Sequence, residues 1–512
     1  MNRSENFKEF ISQAYQFDHA FVLGGAMHNG ESVANTLVKI PFKTLNRHGL
    51  IAGATGTGKT KTLQLLLEGL SENGIPSLVM DVKGDLSGIA APGNINDKIT
   101  ERHTQIGVPY APKAFPVELL SLSNDAGTRL RATVSEFGPV LLAKMLELND
   151  TQSGLLNVAF KYADDNQLPL LDLKDLKRLM QHITEEGKMK FEGAYGKVSA
   201  SSVGIIIRKI VELEQQGAEK FFGEISFEVS DLCRSTKQGE GYISILRITD
   251  IQDKPKLFST FMLCLLAEIY SLFPEQGDAD KPKLMLFIDE AHLIFNEASK
   301  SLLNQIETII KLIRSKGVGV VFCTQNPTDI PDDVLSQLGF KVQHAIRAVT
   351  AKDRKAIKQI SENFPDNPYY KMDELLTNLG IGQAAVTVLN EKGIPTPLTA
   401  TLLCAPKSRM GILTDLELRG LQSGSELAEK YNQVIDRESA FEILSGRIEK
   451  SIPEELAKPN PKTKEEKSSF EKILSNPITR SLGKTIAREI SRGLLGVLGL
   501  GSGAKKKKGS FF

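Results

Sequence analysis

Eight consecutive residues, Gly53-Ala54-Thr55-Gly56-Thr57-Gly58-Lys59-Thr60, fit the spacing G-x-x-x-x-G-K-[ST] at every fixed position. Three glycines in so short a stretch let the backbone turn until successive N–H groups point inward at phosphate oxygens, and a following helix adds its positive end. Lys59 then reaches the β and γ phosphates, Thr60 offers its hydroxyl to Mg²⁺, and Lys61 completes the nucleotide-binding stretch. Far downstream, five apolar residues, Leu284-Met285-Leu286-Phe287-Ile288, end in Asp289-Glu290-Ala291-His292. A strand whose carboxyl end carries Asp-Glu suits nucleotide hydrolysis: Asp289 holds the metal shell and Glu290 polarises the attacking water. His292 reads first as a helix-start histidine with a structural hydrogen bond, and second as a link to a substrate. A further apolar run, Gly317 to Cys323, ends in Thr324-Gln325. If this strand is inserted between the acidic strand and the phosphate-loop strand, Gln325 comes beside the γ-phosphate, where it orients the water or reports on hydrolysis. Its alternative is a strand-end amide capping a turn.

These groups need a scaffold, and its outline is visible around them. Gly49-Leu50-Ile51-Ala52 enters the loop as a short apolar strand and Thr62 to Leu70 leaves it as a helix. Ile75 to Met80 reads as a buried parallel strand ending in Asp81-Val82-Lys83-Gly84-Asp85, acidic and basic groups that suit a site facing phosphate and metal. Phe115 to Leu122, Tyr242 to Ile248, Lys341 to Arg347 and Ala384 to Leu389 read as strands, and the core closes near Thr399 to Cys404. Helices are expected over Phe258 to Leu272 and Ser301 to Ser315. Between the two halves the spacing turns helical, clearest in Leu141, Met145, Leu148 and in Leu173, Leu176, Leu179, Met180.

The resulting division is a short lead-in over 1–48, a core in two parts over 49–124 and 234–411, an all-helical insertion over 125–233, and C-terminal helices over 412–457. The lead-in holds a helix at Phe7 to Tyr15 and brief strands near Phe21 to Leu23 and Val38 to Phe42. Residues 458–477 form a charged, proline-containing linker. In 478–512, Ile478, Leu482, Ile486, Ile490 and Leu494 recur every fourth residue while Arg480, Lys484, Arg488 and Arg492 do so on another face, ahead of four lysines at 505–508. This basic amphipathic helix grips an acidic partner or an anionic surface, or packs on the protein's own core.

With 63 basic against 62 acidic residues, the net charge of +1 supplies no global field for nucleic acid or membrane, so such binding must come from local patches. The four cysteines, Cys233, Cys264, Cys323 and Cys404, form no CxxC pair and read as buried thiols. The N-terminus lacks the pattern of a secretory signal and no run approaches the roughly 18 apolar residues of a membrane span, so a cytoplasmic protein is expected.

Taken together, the phosphate loop, Met80 to Leu86 (MDVKGDL), Leu286 to His292 (LFIDEAH) and the segment from Arg314-Ser315-Lys316-Gly317 to Thr324-Gln325 resemble the HerA/FtsK superfamily of hexameric DNA-pumping ATPases, and within it the uncharacterised bacterial HerA-like helicases. The resemblance covers residues 20 to about 410, and the linker and basic tail look like that family's ending. It implies an α/β fold with a RecA-like P-loop NTPase core, a mainly parallel sheet, the helical insertion and the C-terminal helical tail. It further implies ATP and Mg²⁺, a homo-oligomeric ring, a hexamer, acting on DNA, and an arginine finger donated across the subunit interface, with Arg314 at the matching position. A guanidinium stays charged and forks onto γ-phosphate oxygens; Lys316 is the rival, and a surface salt bridge the plainer role. HerA translocases carry an N-terminal β-barrel that supports the ring and the docking of a nuclease partner, whereas about 50 residues precede the phosphate loop here. The letters DEAH also suggest a two-lobed helicase, but the roughly 170 residues after Phe340 hold no second lobe with an arginine-rich final motif. The alternative of another class is an ATP-gated scaffold or switch whose tail binds a protein partner or membrane.

Overall fold

The computed structural model describes residues 3–451, apart from 123–125, 250–253, 278, 296–299, 348–356, 359, 363, 366, 434 and 436. The linker and the basic amphipathic stretch lie outside the described residues. Among the described residues, those up to Leu130 together with Phe227–Asn432 make one compact unit; Arg131–Ser226 and those from Gln433 to Ser451 make another.

The first unit is organised on a 12-stranded sheet. In chain order its strands are β1 (Ala20–His28), β2 (Glu31–Pro41), β3 (Gly49–Ala52), β4 (Ser77–Asp81), β5 (Val117–Ser121), β6 (Thr128–Arg129), β7 (Ile243–Arg247), β8 (Leu284–Ile288), β9 (Val318–Thr324), β10 (Phe340–Gln343), β11 (Gln383–Thr387) and β12 (Thr399–Leu403). Across the sheet the order is β2-β1-β12-β11-β10-β3-β9-β8-β4-β7-β5-β6. From β10 to β6 every pairing is parallel. The remaining wing is antiparallel. The central strands β3, β4, β8 and β9 are buried along their whole length. That is why they read as continuous apolar runs: a strand covered on both faces has no polar side to alternate with. Each fully buried Leu, Ile, Val or Phe among them contributes about 1.5–3 kcal/mol relative to exposure.

The chain enters through α1 (Arg3–Ala14), and Tyr15 just beyond it donates its hydroxyl to the carbonyls of Val386 (3.1 Å) and Pro397 (3.0 Å). Residues 20–41 are no mere lead-in: β1 and β2 form a hairpin that β1 docks on β12, with Gly24 opposite Leu403. A Cβ on Gly24 would stand 2.2 Å from the Leu402 carbonyl oxygen, so this approach admits only glycine. After the phosphate loop comes α2 (Lys59–Glu72), then α3 (Asp97–Ile106).

The second unit is helical, with α4 (Val134–Met145), α5 (Asp150–Asp165), α6 (Leu173–His182), α7 (Lys188–Tyr195) and α8 (Ala200–Gln215). Capping boxes at Thr133/Glu136, Asn149/Gln152 and Asp172/Asp175 start the helices of its first half. Asp175 also accepts from the Phe441 N–H at 2.9 Å and the Ser439 hydroxyl at 2.5 Å, which seats the helix Ala440–Ser451 on α6. The residues read together as C-terminal helices over 412–457 are thus divided where they are described: those up to Asn432 belong with the sheet, those from Gln433 to Ser451 with the insertion. Back in the first unit, α9 (Pro255–Leu272), α10 (His292–Phe295) and α11 (Lys300–Ile313) flank β8 in sequence. Among the described residues no helix is long and apolar enough to cross a membrane. The four cysteines carry free thiols, Cys323 buried in β9 and the others partly so.

Candidate active site

The strand order β3-β9-β8-β4 decides where the chemistry falls, because parallel strands deliver their carboxyl ends to one edge of the sheet. On that edge β3 runs into the phosphate loop, β9 into Gln325, β8 into Asp289 and Glu290, and β4 into Asp81 to Asp85.

The loop closes on itself. Thr57 donates its hydroxyl to the Ala54 carbonyl at 2.7 Å, and the Ala54 N–H donates to Ala345 at 3.0 Å. The Gly382 N–H reaches the Thr57 carbonyl at 3.1 Å, bracing the loop from the start of β11. Gly58, at φ 112°, ends the loop in a conformation that L side chains rarely adopt and brings no capping side chain to α2. The helix start therefore has its backbone donors and positive end to give to an anion. Gly53 lies so close to the chain after β10 that an added Cβ would stand 2.5 Å from the His344 Cβ. Lys59 curls into the loop, its ammonium 2.7 Å from the Gly53 carbonyl and 3.2 Å from that of Ala54. Burial, and next the charge of Lys83, hold its pKa below the usual lysine value. Thr60 lies half-buried in the first turn of α2. Thr55 and Gly56 are exposed at the loop tip.

Asp289 is buried, and that burial, only partly offset by Lys83, raises its carboxyl to about 6. Glu290 is buried as well and sits at φ 47°, left-handed for a residue with a side chain, at a cost on the order of 1–2 kcal/mol. Its Oε1 is 2.5 Å from the Lys83 ammonium. Its Oε2 is buried without a hydrogen bond, and the His292 Nδ1 lies 3.3 Å from it. His292, read first as a structural helix-start residue, thus faces the carboxylate at the centre of the site. Gln325 is exposed, and its Oε1 is 3.3 Å from the Thr55 hydroxyl of the phosphate loop. The turn after β9 is capped by Asn326 and Asp329, the latter also accepting from Thr324 at 2.8 Å, so turn-capping is not what occupies Gln325.

Two expected residues lie elsewhere. Lys61 donates its ammonium to the Met410 carbonyl at 2.6 Å and reaches Gln64 at 3.4 Å. Its side chain joins Gln64, Glu68 and Glu72, spaced along one face of α2, where Glu68 accepts from the N–H groups of Lys407 (2.8 Å) and Ser408 (3.0 Å). Adjacency to Thr60 in sequence does not make adjacency to the loop, because each helical step turns the side chain by about 100°. Arg314 lies before β9, at the sheet edge opposite the phosphate loop; β9 spans seven residues, or about 20 Å. There it lines a cavity of about 520 Å³ with Arg47, Lys311 and Lys341. Lys316, its rival, pairs with Glu275 at 3.0 Å and lies over the Tyr270 ring.

Other residues enter the site without having been singled out for a role. Lys83 was visible as a cation at a strand end; its partner was not. Asp81, buried and raised by that burial to about 6, accepts from the N–H groups of Gly84 (2.7 Å), Asp85 (3.2 Å) and Leu86 (3.1 Å) and so shapes the turn that presents Lys83. His344 is buried beside the loop with its Nε2 2.8 Å from the Thr62 hydroxyl, and burial, with Lys59 nearby, lowers it to about 4, so it is neutral. No sequence signal marks it.

A parallel α/β sheet with a phosphate loop at the carboxyl end of β3 and an acidic pair at that of β8 defines a RecA-like P-loop core. The family model described as Helicase HerA-like C-terminal matches residues 27–506, and the chain belongs to that family. It is 22% identical over 364 residues to the DNA double-strand break repair helicase HerA of Sulfolobus acidocaldarius, covering 71% of this chain and 66% of that protein. The helicase of the same name from Sulfurisphaera tokodaii is 24% identical over 367 residues, covering 71% and 66%. The chain thus spans just under two thirds of the length of these relatives. Among solved structures, the bacterial conjugative coupling protein TrwB aligns at a TM-score of 0.49 with 14% identity, over 80% of this chain and 94% of that one.

Proposed function

We propose that this protein is a Mg²⁺-dependent ATPase that assembles into a ring, a hexamer, and acts as a motor on DNA. The observation that carries hydrolysis is the convergence of Lys59, Asp289, Glu290 and Gln325 on one sheet edge, with Gln325 already touching the loop through Thr55. Lys59 and the backbone of residues 53–60 hold the phosphates, Lys59 trading two loop carbonyls for phosphate oxygens. Glu290 takes the proton of the attacking water and Gln325 orients that water.

The donor set fits a magnesium ion that the substrate helps to hold. Thr60 and Asp289 offer one oxygen-bearing side chain each, and among the described residues no cluster of three or more His, Cys, Asp or Glu forms a separate metal cage. When bound, the ion neutralises charge on the β and γ phosphates. Asp289, buried and raised, is a carboxylate to which a cation restores favourable surroundings.

DNA as the substrate is supported by family membership and by relatives named as DNA repair helicases. Ring assembly is supported by the place of Arg314: it lies beyond the opposite end of β9 from the site, a strand of about 20 Å, so an arginine so placed reaches a phosphate loop only from a neighbouring copy. ATP turnover with Mg²⁺, measured with and without single- and double-stranded DNA, tests the reading. Hydrolysis stimulated by DNA is expected, and Glu290→Gln keeps ATP binding while turnover falls by about 10²–10⁴. Turnover near the wild-type rate in Glu290→Gln removes Glu290 from the chemistry; DNA-independent turnover in a monomer removes the motor.

A further inference from the structure

Lys83 is poised for more than an ion pair. β4 and β8 are neighbours with Met80 opposite Ile288, so the turns that follow them lie side by side. Three backbone hydrogen bonds to Asp81 fix the turn, with Gly84 at φ 74°, and the Lys83 side chain leaves it to meet Glu290. Glu290 is 8% exposed at its side chain, whereas Lys83 is 45% exposed. Of the charged groups here, Lys59 already lies inside the loop and changes partners without leaving it, and the Glu290 backbone sits in the left-handed region. Lys83, on a four-carbon stem, is the one built to swing.

The pair as it stands opposes catalysis. With the Lys83 ammonium 2.5 Å away, Oε1 of Glu290 is already engaged and is not free to take up a water. Burial pulls the Lys83 pKa down, but the bond to Glu290 and the charge of Asp289 turn the net shift upward, so the ammonium stays charged. Lys59 and Lys83 balance Asp289 and Glu290. A magnesium-bound triphosphate brings further negative charge to the same edge, and the mobile cation is the group that can answer it.

We propose that Lys83 reads the γ-phosphate: it rests on Glu290 without a triphosphate and transfers to the γ-phosphate when one binds, so that recognising the triphosphate uncovers the base. A diphosphate, lacking that oxygen cluster, leaves Glu290 covered. This rests on the hydrolytic reading above and adds a residue that tells ATP from ADP.

The test is a double-mutant cycle on the full chain, reading ATP and ADP affinity with Mg²⁺ by calorimetry for Lys83→Met, Lys83→Arg, Glu290→Gln and the Lys83→Met/Glu290→Gln pair. Losing one charge-assisted contact to the γ-phosphate, Lys83→Met binds ATP about tenfold or more weakly with ADP within about twofold. Lys83→Arg keeps most of the difference. Glu290→Gln, which releases Lys83, tightens ATP several-fold in the parent and leaves it unchanged in Lys83→Met. An unchanged ATP-to-ADP ratio in Lys83→Met, or equal tightening by Glu290→Gln in both backgrounds, overturns the inference alone. Absence of ATP binding by the wild type overturns the hydrolytic reading and this inference with it.

Discussion

Asp289 offers a quantitative check on how the site is built. Its carboxyl rises from 3.8 to about 6 because burial penalises the anion more than Lys83 rewards it. The unfolded chain keeps the lower value, so between the two the native state binds more protons than the unfolded state, and stability falls as pH rises through that window. Roughly two pKa units at 1.36 kcal/mol each give about 3 kcal/mol of stability forgone once pH exceeds 6. Asp289→Asn, of nearly the same volume, removes the charge. At pH 7.5 it should be more stable than the wild type by about 1–3 kcal/mol, a gain of a few degrees in the melting transition of the unit that carries the 12-stranded sheet. At pH 4.5, where the native carboxyl is already protonated, the advantage should shrink by about 2 kcal/mol. Urea unfolding of both proteins at the two pH values, without nucleotide or Mg²⁺, measures the difference. An Asn variant less stable than the wild type at pH 7.5, or an advantage independent of pH, refutes the claim that Asp289 is held charged against its surroundings. Such stored cost is what a metal ion relieves on binding, so the variant should also lose stabilisation by Mg²⁺·ATP.

Two further outcomes follow from the geometry. Arg314→Ala should bind ATP but lose about 10³–10⁵ in turnover, and mixing it with Lys59→Ala subunits should recover part of the activity, since one brings an intact loop and the other the arginine; no recovery in mixtures shown to co-assemble, or a strictly monomeric protein, sinks the trans role. Gly53→Ala should lower both ATP affinity and the melting temperature, because its Cβ would stand 2.5 Å from the Cβ of buried His344, a collision costing about 1–3 kcal/mol; unchanged affinity and melting would show that the loop has room to spare.

What was legible in the sequence was what is local. The phosphate loop with its strand and helix, and the apolar run ending in Asp289-Glu290, each lie within one short stretch whose spacing carries its own physics, and the structure puts them on one edge. The parallel strands were visible for the same reason: β3, β4, β8 and β9 are buried on both faces and so announce themselves as apolar runs. The β1–β2 hairpin looked like a minor lead-in because its support, β12, lies more than 370 residues away in sequence at Leu403. No local pattern foretells that pairing; only the glycine at position 24 hints at a close neighbour.

Side-chain direction was lost for a related reason. Lys61 follows Lys59 and Thr60 in sequence, yet one helical step turns it toward Met410, while Lys83, some 200 residues from Glu290, touches it. The decisive quantity is the register of β4 against β8, Met80 opposite Ile288, which places the residue three after Met80 beside the residue two after Ile288. Shifting that register by one pair would move the Lys83 turn by about 3.3 Å along the strand, more than the whole length of its contact with Glu290. A sequence shows that a lysine and a glutamate each end a buried strand. Whether they meet is settled by strand order and register, and so the contact between Lys83 and Glu290 was the part of this site that only the fold could show.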